Sequence, residues 1–154
     1  TEVKENAYKY HVFPKLDTTT YEILDIKDCS IENFKRVKAK VLLSKRYKKK
    51  DIKLLINQII GDMRGLTTPQ NPYEEVKYGE MEADIVFLNI FINNPDRRKF
   101  DLFPNNSVFV CSVHYYKDKD CPRIENGGVT PSLWEMYKKE KLGKNALLAW
   151  NPKY

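Results

Sequence analysis

The longest apolar run in the chain is Ala-Asp-Ile-Val-Phe-Leu-Asn-Ile-Phe-Ile, residues 83–92, with Pro95 close behind it. It is apolar on both alternating faces and rich in β-branched and aromatic residues. That pattern predicts a strand covered on both sides, hence one near the middle of a sheet. The weaker alternation of Tyr21–Lys27 predicts a second strand, and Asp28, Ser30 and Asn33 supply a polar connection after it. From Phe34 to Leu43 the alternation is clear, with Val37, Ala39, Val41 and Leu43 on one side and Arg36, Lys38 and Lys40 on the other. The expectation is a half-buried antiparallel strand with a basic outer face.

The period then changes. Ile52, Leu55, Ile56, Ile59, Ile60 and Met63 recur at three- and four-residue spacing, which predicts a helix over 51–64 with Asp51 in its first turn and Gly65 as its terminator. Ser107–Tyr116 predicts another strand, with Phe109, Cys111, Val113 and Tyr115 on one face and Val108, Val110, Ser112, His114 and Tyr116 on the other. Thr130-Pro131 is a helix-start signal, followed by Leu133, Trp134, Met136 and Tyr137. A short helix over about 131–142, ending at Gly143, is expected there. Ala146–Trp150 is a closing strand stopped by Asn151-Pro152.

Between these elements lie a long connection over 66–82 with Pro69, Pro72 and Gly79, turn signals at Asn93-Asn94-Pro95 and Pro104-Asn105-Asn106, and a flexible Gly127-Gly128. Residues 1–20 are polar and tyrosine-dotted, and read as a peripheral arm or an edge strand around Tyr8–Phe13. The order predicts an α+β fold: a mostly antiparallel sheet of about five strands, the 51–64 helix on one face, and a short second helix. No internal repeat breaks the chain, so residues 1–154 are expected to form a single domain.

Composition narrows the class. With 42% apolar and 12% aromatic residues, the chain can bury a core large enough to offset its conformational entropy. No apolar run approaches the roughly 20 residues of a membrane-spanning helix. The chain opens with Thr1 and shows no charged-then-apolar leader, so any secretory signal is read as removed or never present. Cys29, Cys111 and Cys121 form no C-x-x-C pair and cannot all be joined, which favours reduced thiols and a cytoplasmic setting, although a cleaved signal stays compatible with the sequence. The net charge of +6 suits an anionic partner without demanding one.

No phosphate-binding glycine loop, nucleophile elbow or zinc-protease helix is present, and nothing calls for a cofactor. Two histidines exclude a multi-histidine metal centre. Glu80, Glu82 and Asp84 alternate before the central run and would share a strand face, as a hard-cation site or, the favoured reading, a solvated edge. His114, with Asp118, Asp120 and Cys121 just downstream, is the one acid–base cluster; a neighbouring carboxylate would raise its pKa toward working pH. Cys111 sits three residues before His114, on the opposite face of an ideal strand, so those two do not form a dyad.

The basic residues are the stronger candidates. Arg36, Lys38 and Lys40 continue into Lys45, Arg46, Lys48, Lys49 and Lys50, with Tyr47 interleaved, and Arg97, Arg98 and Lys99 form a second cluster. Cations contact phosphates, and an aromatic between them can stack on an unpaired base. The expectation is a non-enzymatic module binding an anionic partner, nucleic acid or an acidic protein, through 36–50 and 97–99. The alternatives are a small hydrolase or nuclease using His114 with Asp118 or Asp120, and a protein-interaction domain using the 66–82 loop and its tyrosines.

Overall fold

The computed structural model describes residues 20–66, 81–92, 102, 104 and 106–154. The predicted arm, most of the 66–82 connection and the Arg97, Arg98, Lys99 cluster lie outside the described residues.

The architecture is α+β, as the order of periods predicts. Six strands form one sheet: β1 (Tyr21–Asp28), β2 (Arg36–Leu43), β3 (Ile85–Ile92), β4 (Phe109–Tyr116), β5 (Lys138–Leu142) and β6 (Ala146–Trp150). Their spatial order is β1-β2-β3-β4-β6-β5. The apolar run forms β3, which lies inside the sheet between β2 and β4 and alternates between its two faces. Every neighbour pair is antiparallel except one. β2 runs parallel to β3, in register from Arg36–Ile85 to Leu43–Ile92. The predicted purely antiparallel setting of β2 therefore holds only on its β1 side. The reason is connectivity: a helix between two strands carries the chain back to the starting edge, so the next strand can run the same way.

That helix, α1 (Lys49–Arg64), buries Ile52, Ile56, Ile59, Ile60 and Met63 against Val37, Ala39 and Val41 of β2 and Val86, Leu88 and Ile90 of β3. Each fully covered isoleucine contributes about 2 kcal/mol by leaving water. The opposite sheet face is lined by Phe91, Phe109, Ala149 and Leu42, and by Ile85, Phe87 and Tyr116. Residues 121–137 cover it, including a 3₁₀ turn (Glu125–Gly128) and the short helix α2 (Pro131–Met136).

Two sequence expectations shift. A bulge opposite Ile90 and Phe91 inserts one residue into β4, so Phe109 packs with Phe91 on the face away from α1 while both Val110 and Cys111 join the α1 face. The second helix ends at Met136 rather than near 142. Residues 138–142 form edge strand β5, paired antiparallel to β6 around Gly143, whose φ of +66° suits the turn. Lys139 and Lys141 alternate with Glu140 and Leu142 there. Over so short a stretch a strand alternation and a helix tail look alike until a partner strand is present.

Candidate functional site

The basic run takes its shape where β2 hands over to α1. Leu43 is the last buried residue of β2, and the Ser44 amide donates to the Thr20 carbonyl at 2.9 Å. Lys48 then stands at the helix N-cap in extended conformation without a side-chain cap, and its carbonyl accepts the amides of Asp51 and Ile52, both at 3.0 Å. Lysines at this end oppose the helix dipole by a few tenths of a kcal/mol each, so local helix energetics do not account for them.

Tyr154 organises this run. The Tyr154 hydroxyl donates to the Tyr47 carbonyl, and its ring lies 4.2 Å beneath the Arg46 guanidinium and stacks on Trp150 at 6.0 Å. Lys49 sits 5.2 Å over Trp150. Arg46, Tyr47, Lys48, Lys49 and Tyr154 together line a surface hollow of about 390 Å³ with no aspartate or glutamate side chain in its wall, and Arg46 Nη2 donates to the Tyr154 main-chain oxygen there at 3.4 Å. Of the acids nearby, Asp51 lines an adjoining hollow with Lys45 and Tyr47, and Glu140 pairs with Lys53 and accepts the Trp150 indole N–H at 2.9 Å. The Lys53 hydrogen bond, foremost, holds its carboxyl below the usual range. Burial pushes the Tyr154 phenol up, so it stays a neutral donor.

The expected stripe divides into two surfaces. Arg36, Lys38 and Lys40 project from the β2 face turned away from α1, whereas 45–50 lie at the α1 start. Arg36 donates from Nε to the Cys29 carbonyl at 2.9 Å and lies over Phe87, so it serves the fold. Lys40 is half-buried beside Asp25 of β1, and Lys38 is exposed. Tyr47 is half-buried, with its hydroxyl 3.0 Å from Ser44 Oγ and Lys45 5.1 Å over its ring. It orients cations rather than offering a bare stacking face.

His114 stands on the face away from α1, in register with Phe87 of β3 and Leu147 of β6. Trp134 stacks on its imidazole at 4.9 Å and 7°, Phe87 meets it edge-on at 5.4 Å, and the Gly127 backbone presses against the ring. A side chain at 127 would overlap the imidazole, and φ of +58° independently favours glycine there. Burial first, and then Lys38, lower its pKa to about 4. The charge acting on the ring is thus a cation, not Asp118 or Asp120. Both aspartates are exposed, and the Asp118 carboxylate accepts the Asp120 amide at 2.9 Å and faces the Cys121 thiol at 3.7 Å.

The acids before β3 also part company. Asp84 is buried, accepting the Lys35 amide at 2.9 Å, while Glu82 is exposed and pairs with Arg64 at 3.2 Å. Glu80 lies outside the described residues, among which no group of three metal-ligating side chains converges. Cys29, Cys111 and Cys121 are free thiols. No described helix is long and apolar enough to cross a membrane.

Sequence reasoning passed over Tyr154 and Trp134. Each takes its role from a partner distant in the chain, Tyr154 from Tyr47 at a separation of 107 residues, and no local period encodes such a pairing. No family model, curated protein or solved structure matches the chain.

Proposed function

We propose that this chain is a non-enzymatic binding module whose α1 start engages an anionic partner, with a nucleic-acid phosphate backbone as the first candidate and an acidic protein surface as the second. One observation carries the reading. Arg46, Lys48 and Lys49 converge on a single hollow without an acidic side chain, Arg46 seated over Tyr154 and Lys49 over Trp150, at a helix end whose dipole they oppose. An anion seated there would relieve the mutual repulsion of the lysines and meet the positive helix end at the same time. Because the tyrosines are occupied with the cations, recognition rests on charge rather than base stacking. Affinity should therefore depend little on base sequence and strongly on salt.

The test is fluorescence anisotropy with labelled single- and double-stranded DNA and RNA. Four phosphate contacts, from Arg46, Lys48, Lys49 and Lys50, would weaken single-strand binding roughly fifty-fold between about 50 and 200 mM salt. Lys48→Glu/Lys49→Glu/Lys50→Glu should abolish binding at the lower salt and leave the circular dichroism spectrum unchanged. If nucleic acid fails but a polyglutamate peptide binds with the same salt slope and the same loss in the variant, the partner is an acidic protein. Binding to neither, or binding indifferent to salt, overturns the reading.

A further inference from the structure

A second hollow, of about 300 Å³, opens on the face away from α1, near the β5–β6 hairpin. Lys141 and Leu147 lie on that face, in register with His114, and the 121–134 segment forms the opposite wall. Its lining falls into two chemical halves. Ile124, Ala146, Leu147, Tyr116 and Trp134 supply an apolar and aromatic floor. Arg123, Lys141 and Lys144 supply three cations, and no carboxylate lines it.

The walls are built rather than incidental. Arg123 is seated 4.2 Å over the Tyr116 ring, and the Tyr116 hydroxyl accepts the Ile124 amide at 3.2 Å. Asn126 adopts φ of +57°, which lets Gly127 come against the imidazole. His114 itself is only 6% exposed and lines this hollow.

We propose that this hollow is a binding site for a small organic anion: a flat apolar body carrying one carboxylate or phosphate group. The body covers the Leu147–Trp134 floor. The charged group is met by Lys141, Lys144 and Arg123, and a polar atom of the ligand pairs with the His114 ring. The volume is at the lower end for small-molecule sites. The site stands apart from the Arg46–Tyr154 hollow. It lies on the opposite sheet face, and the hairpin that borders it is at the far end of β6 from Trp150.

The experiment titrates the full chain with naphthoate, naphthyl phosphate and the neutral naphthalene methanol, read by calorimetry and by the imidazole resonances of His114. One saturable site is expected for at least one anion, with the neutral compound at least about tenfold weaker, the worth of one good charge contact. Lys141→Glu/Lys144→Glu, two exposed edge positions, should cost at least about tenfold as well, and Lys48→Glu/Lys49→Glu should change nothing. Bound anion should also raise the titration midpoint of His114. Preference for naphthoate or for the phosphate tells which headgroup the cations suit, and either supports the site. Equal binding of the neutral compound, unaltered affinity in Lys141→Glu/Lys144→Glu, a silent His114 resonance, or no saturable binding overturns it.

Discussion

A single imidazole shows how position in a sheet overrides a residue's ordinary chemistry. His114 has aspartates four and six residues on, yet what surrounds it is Trp134, Phe87, Gly127 and Lys38. Burial and Lys38 bring its pKa to about 4 from the 6.5 of an unconstrained histidine. The unfolded chain therefore binds the proton more tightly, so stability is full above about pH 6.5 and falls as pH drops through the interval to about 4. The loss over that interval is about 3 kcal/mol. Urea unfolding between these pH values checks it, and His114→Gln should flatten that part of the profile. An unchanged profile in the variant would assign the acid sensitivity to other groups. Nothing in the spacing of His114 from its aspartates foretold this, because Trp134 and Gly127 meet the ring only once the covering segment folds over the sheet.

At the scale of elements, α1 was the most legible part of the chain. Its apolar stripe occupies the positions the spacing predicts, with the boundary two residues earlier. Gly61 is a weak point in it: exposed, inside the helix, with open space where a Cβ would go. Gly61→Ala should stabilise the protein by about 0.5–1 kcal/mol, read as a higher urea midpoint. A lower midpoint would mean that residue 61 faces something other than solvent. Strand β5 was the least legible. Lys-Lys-Glu-Lys-Leu has the composition of a helix tail, and what makes it a strand is β6 alongside, with Glu140 reaching Lys53 on α1 and Trp150 on β6. As an edge strand it carries exposed lysines, which discourage a further strand from pairing there.

Across the whole molecule, the parallel β2–β3 pair requires a crossover, and a buried lysine clasps it. Lys35 is 1% exposed, and its ammonium donates to the carbonyls of Leu66 at 2.5 Å and Met81 at 2.7 Å, while its amide binds Asp84. One side chain thus ties the entry of β2 to the end of the α1 segment and to the approach of β3. Burial lowers its pKa, and Asp28 and Asp84 pull it back up. Lys35→Met removes the donor and leaves two carbonyls facing an apolar chain, so it should cost about 3 kcal/mol. Lys117→Met, at the half-exposed partner of Asp84, should cost less than about 1 kcal/mol. Equal costs in chemical denaturation would show that the clasp does not hold the crossover.

The pattern of apolar positions was enough, by itself, to establish the α+β class, the interior place of β3, the α1 stripe and the closing strand. Each of these follows from local periodicity and the need to cover an apolar face. Tertiary structure alone decided the parallel pairing of β2 with β3, the bulge that turns Phe109 to the other face, and the strand character of 138–142. It also decided which cations meet: Arg46 and Lys49 with Tyr154 and Trp150 at one end of the sheet, Lys141 and Arg123 around His114 at the other. The physical reason is common to all of these. Periodicity reports which side of an element must be hidden, whereas the partner that hides it is chosen by the packing of segments far apart in the chain.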